Sequence, residues 1–136
     1  GAEYLNQMTY MDDGFKNKRI YTAWDNRRDE SIFTKGIEIM TNAGINPKNI
    51  MVYMLCGYWK TETFEDIYYR FQRMIDMGLM PYPMIYAESP NYTELKKFQK
   101  WVVRRYYQFT EWNTFKNEKE SDYYARKNTS NQNKLF

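Results

Sequence analysis

Ile50-Met51-Val52-Tyr53-Met54-Leu55-Cys56 runs for seven residues without a charged or amide side chain. Its β-branched and aromatic residues favour a pleated strand, and the missing polar alternation is the pattern of a parallel sheet covered on both faces. The run ends in Gly57-Tyr58-Trp59-Lys60, which reads as a loop. Thr63, with Asp66 three residues on, then resembles a capping box with Asp in place of the usual Glu or Gln. Phe64, Ile67, Tyr68, Phe71, Met74 and Ile75 follow on one helical face, and Gly78 stops the helix.

The same order appears on either side. Upstream, Arg19-Ile20-Tyr21-Thr22-Ala23-Trp24 reads as a strand and 25–28 as a charged loop. A helix is expected over 29–43, with Ile32, Phe33, Ile37, Met40 and Ala43 on its apolar stripe. Gly36 lies on that stripe, where a missing side chain would permit close packing on a sheet, and Gly44 ends the helix. Downstream, Leu79-Met80-Pro81-Tyr82-Pro83-Met84-Ile85-Tyr86 is a third strand. Its prolines stand at i and i+2, so both missing N–H groups face the same side and the strand must be an edge. A third helix is expected over 92–109, with Leu95, Phe98, Val102 and Tyr106 apolar and Lys96, Lys97, Lys100, Arg104 and Arg105 around the rest.

The stop glycines Gly44 and Gly78 are 34 residues apart, within similar segments, which marks a βα repeat. Three such units predict an α/β chain with a parallel sheet and right-handed crossovers over 19–112. Residues 1–18 carry the turn signal Asp12-Asp13-Gly14 and no periodicity, and read as an irregular segment. Residues 113–136 turn polar, and a mobile tail is expected there.

Composition removes several chemistries. Among 136 residues there is no histidine and one cysteine, so His-based acid–base catalysis, internal disulfides and multi-thiolate sites are excluded. No run approaches the ~20 apolar residues of a membrane span, so no membrane partner is expected, and a cytoplasmic setting is. Lys+Arg 20 against Asp+Glu 17 leaves +3, too small to announce a nucleic-acid binder. The outlier is 19% aromatic residues, which are either buried or available for stacking.

The segment from Tyr53 to Asp66 resembles strand five of the radical S-adenosylmethionine enzymes: an apolar strand, a glycine loop, then Thr, acidic residues and a helix. Asn42-Ala43-Gly44-Ile45, the Gly78–Tyr86 segment and Phe98-Gln99-Lys100-Trp101-Val102-Val103-Arg104-Arg105 are similar to the compact members found in phage and uncultured-microbe genomes. The resemblance covers roughly 19–112 and implies half of a partial (β/α) barrel, strands four to six. The family's CxxxCxxC loop, which holds a [4Fe–4S] cluster, is missing, so no iron–sulfur cluster and no metal are expected in this chain.

Ligands of parallel βα folds gather at the carboxyl ends of strands. There the resemblance implies S-adenosylmethionine contacts from Asp25, Asn26 or Arg27 to ribose and carboxylate, from Gly57 to adenine, and from Tyr86 and Ala87 through their backbones. Tyr58 and Trp59 would stack on a ligand or simply pack. The plain alternatives are a solvated cap at 25–27, a turn glycine at 57 and a small buried hydrophobe at Cys56. No catalytic residue is assigned.

The resemblance implies the C-terminal half of such an enzyme, inactive without the cluster half. The alternative is a non-catalytic binding or assembly module contacting protein or nucleic acid through the basic helix and aromatic tail. Three parallel strands leave an edge and a sheet face bare. The expected partner is therefore a second copy or a missing N-terminal half, unless 1–18 and the tail fold across the opening.

Overall fold

The computed structural model describes residues 19–118; the segment 1–18 and the tail beyond 118 lie outside the described residues. Three strands, β1 (Ile20–Ala23), β2 (Ile50–Cys56) and β3 (Met80–Ile85), alternate with helices α1 (Glu30–Asn42), α2 (Phe64–Asp76) and α3 (Tyr92–Val103). A four-residue helix α4 (Trp112–Phe115) follows. The sheet has the order β1-β2-β3 and is parallel throughout. Val52 sits opposite Thr22 and Pro81, and Tyr53 opposite Ala23 and Tyr82.

The repeat is real at the level of hydrogen bonds. Gly44 N–H donates to Thr41 O and Ile45 N–H to Met40 O; Gly78 N–H donates to Ile75 O and Leu79 N–H to Met74 O. Each pair closes its helix in the same way, with the glycine in the left-handed region at φ 96° and 76°. Thr63 and Asp66 form the reciprocal capping box that starts α2.

The helices cover one face of the sheet, not two. Ile50, Val52, Met54 and Cys56 are fully buried beneath α1, α2 and α3, whereas Met51, Tyr53 and Leu55 are half-buried on the opposite face. An apolar residue at every β2 position thus disguises a strand whose burial alternates. On the opposite face Tyr21 stacks on Tyr53 at 5.8 Å, and Tyr53 meets Tyr82 edge-on at 5.7 Å. Tyr21 is 55% exposed and Met84 45%.

Most of the aromatic excess goes into packing. Phe64, Phe71, Phe98, Trp101 and Trp112 form one cluster between α2, α3 and α4, with ring centroids 5.2–5.8 Å apart in each neighbouring pair. Such contacts add to the transfer free energy of large buried rings.

Three expectations are corrected. Ile32 is 78% exposed, and nothing lies within 4 Å of where a Gly36 Cβ would stand, so α1 packs through Phe33 and Ile37 and has no close approach at Gly36. The third helix stops at Val103 rather than near 109, because Arg105 takes the left-handed conformation (φ 58°) and turns the chain back. That reversal lets Trp101 Nε1 donate to Thr110 O at 2.9 Å and buries Trp112 and Phe115. Docking also runs past 112: Lys97 Nζ donates to the carbonyls of Lys116 (2.7 Å) and Glu118 (3.2 Å).

Candidate functional site at the strand ends

The loops after the three strands meet at one end of the sheet, and a buried arginine holds the first two. Arg70 comes from the inner side of α2, on the same stripe as Ile67, Phe71 and Met74. Its Nη1 donates to Trp24 O at 2.6 Å, and its Nη2 to Leu55 O and Glu62 Oε2, both at 2.8 Å. One guanidinium therefore ties the ends of β1 and β2 to the loop before α2. Its side chain is 0% exposed and that of Glu62 4%. Burial pushes the Glu62 carboxyl above its usual range, against the pull of Arg70 and the Gly57 N–H.

Asp25 is used inside the fold. Its carboxylate accepts the Leu55 N–H at 2.9 Å, and its carbonyl accepts Trp59 Nε1 at 2.9 Å. Asn26 caps the short turn Arg27–Asp29 by accepting the Arg28 N–H. Arg27 pairs with Asp66 at 3.2 Å and lies 3.8 Å over the Tyr69 ring. The Thr63 backbone N–H, with Arg27 beside it, holds the Asp66 carboxyl below its usual range. Arg28 lies over Trp59, 5.3 Å from the ring centre.

Gly57 has φ 84°, and a Cβ there would stand 2.6 Å from Ser89 Oγ and 2.7 Å from Leu95 Cδ1. The missing side chain is thus required by the protein's own loop and by α3. Tyr58 is 48% exposed and meets Trp59 and Tyr86 at near right angles, 5.0 and 5.1 Å away. Tyr86 donates its hydroxyl to Glu88 at 3.1 Å, a bond that raises the phenol above its ordinary value. Ala87 is exposed beside it.

Of the residues read from sequence, the structure brings Tyr58, Tyr86 and Ala87 together at the surface. Asp25, Asn26, Arg27 and Gly57 each have a partner within the chain. A hollow of about 320 Å3 lies beside them, lined by Asn26, Arg27, Arg28, Thr61, Glu62 and Asp66. Cys56 points into the core, and burial pushes its thiol up to about 12. A thiol so placed does not fit a cluster ligand.

Arg70 and Glu62 escaped the sequence reading. The available signal was a charged residue at position 70 in the middle of an apolar helical stripe. No protein family, curated protein or solved structure matches the chain.

Proposed function

We propose that the chain is the C-terminal half of a radical S-adenosylmethionine enzyme. In this reading it supplies the adenosine contacts and a wall of the substrate space, and is inactive until a cluster-bearing half joins it. The observation that carries the reading is the one-sided sheet: three parallel strands in chain order, helices on one face, and Tyr21, Tyr53 and Tyr82 on the other. That is what a wall of an unclosed (β/α) barrel presents to its interior.

Within the half, the Tyr58 ring would stack on the adenine, and the backbone at Tyr86 and Ala87 would meet its edge. Arg28, held over Trp59, would receive a carboxylate. Asp25, Asn26, Arg27 and Gly57 shape the loops that present these groups. When bound, the cofactor would supply the radical chemistry, and the other half the electron that starts it. We place the pair in the cytoplasm, where the free thiol of Cys56 stays reduced.

Two measurements test the reading. The chain alone should remain colourless and iron-free after anaerobic reconstitution; a stoichiometric [4Fe–4S] absorbance would overturn the assignment of Cys56. The reading frame containing this chain, or one beside it, should encode CxxxCxxC. The complete product should then bind S-adenosylmethionine, and Tyr58→Ala should weaken that binding about tenfold. A complete gene pair with no cluster loop would sink the proposal.

A further inference from the structure

The turn at Arg105 carries the chain back and sets Trp112 against Phe64 of α2, the two rings stacked at 5.4 Å. Beside this contact, between the starts of α2 and α4, lies a hollow of about 430 Å3. Phe64, Tyr68 and Trp112 line it together with Glu65, Glu111 and Asn113. Trp112 is 4% exposed, so the open ring surface comes from Phe64 and Tyr68, which are half-buried. These two stand one turn apart on α2, with centroids 6.2 Å apart and planes tilted by 45°.

The charge of the lining is one-sided. Glu65 and Glu111 are exposed, and no Lys or Arg is among the described lining residues. Neither carboxylate takes part in an ion pair or a side-chain hydrogen bond among the described residues. The Glu111 charge also reaches Tyr68: burial and then that carboxylate raise the phenol above its ordinary value. An anion would be repelled here, and a neutral ligand would leave both charges unused. The kind of cation follows from the rings. Their faces attract positive charge but accept N–H bonds poorly, so a bare ammonium, compact and strongly hydrated, would lose more than the walls return. A methylated ammonium spreads its charge over carbon, keeps few or no N–H groups and sheds water readily.

We infer that this hollow binds a methylated ammonium group, with the rings of Phe64 and Tyr68 against its methyls and Glu65 and Glu111 supplying the countercharge. Two sources carry that chemistry: a free choline-like molecule, and a trimethylated lysine side chain of another protein. The site uses none of the residues assigned to adenosine, so it stands or falls independently of the radical-enzyme reading.

NMR titration of the isotope-labelled full chain tests it, read at the Trp112 indole and the Asn113 side-chain amide. Choline should give saturable shifts with a dissociation constant of about 1 mM, within reach of a ligand of so few atoms. Its neutral isostere, with carbon in place of nitrogen, and ammonium chloride at equal ionic strength should each bind roughly tenfold more weakly. Glu65→Gln/Glu111→Gln should weaken choline about fivefold. Tyr68→Leu removes the ring, keeps the apolar bulk and should weaken it by a similar factor, with circular dichroism confirming the fold. Glu38→Gln/Glu94→Gln removes the same charge outside the hollow and should stay within about twofold of wild type. A short peptide carrying trimethyl-lysine separates the sources: binding about tenfold tighter than choline assigns a modified protein tail, and binding no tighter assigns the free molecule. A choline response that stays linear, equal binding of the isostere or of ammonium, or equal loss in both paired glutamine variants would each overturn the proposal.

Discussion

At Gly57 two constraints coincide. An alanine would hold an L residue at φ 84° and push its Cβ into Ser89 and Leu95. Gly57→Ala is expected to cost about 2 kcal/mol or more, read from urea unfolding. Arg70 carries a larger share. Removing its guanidinium strands a buried carboxylate at Glu62 and leaves Trp24 O and Leu55 O without their donor. Arg70→Met should lower stability by about 3–5 kcal/mol, and Arg70→Met/Glu62→Gln should recover part of that. Equal losses in the single and double variants would show that the strand-end carbonyls, not the charge pair, dominate. Neither Gly57's neighbours nor Arg70's partners are near in sequence, apart from Glu62, so this centre was only half legible beforehand.

Among the elements, α2 begins where local chemistry says it should. Thr63 and Asp66 each satisfy the other's backbone N–H, and Asp66 also meets Arg27. Asp66→Ala should cost about 1 kcal/mol at pH 6. The folded protein holds this carboxyl below its ordinary 3.8, so the contribution is present above that value. It is lost as the pH falls through the lower folded value, and the gap between variant and wild type should close in acid unfolding curves. A gap that stays constant into strong acid would assign the cost to the helix propensity of the new residue. By contrast, the end of α3 was misread, because the helical spacing of apolar residues continues through Tyr106 while the chain has already turned at Arg105. The turn is driven by where Trp112 and Phe115 are buried, and a periodicity read on one helix holds no information about that.

For the molecule as a whole, the open face is the dominant feature. Tyr21 and Met84 are largely exposed, with Tyr53, Tyr82 and Met51 half-buried between them. Apolar faces of this kind are covered in stable assemblies. Light scattering on the isolated chain should report a mass above 16.7 kDa, and Tyr53→Glu with Met84→Glu should restore the mass of one chain. A wild-type monomer would remove the need for a covering half and count against the barrel reading.

Local information determined the three βα units, the glycine stops, the capping box and the edge position of β3, since each depends on residues within one helical turn or one strand. The placement of Arg70, the turn at Arg105 and the neighbours of Gly57 were decided only in the tertiary structure. Burial pattern is a property of neighbours. An unbroken apolar strand therefore hides an open face. That face becomes visible only when distant segments are brought side by side.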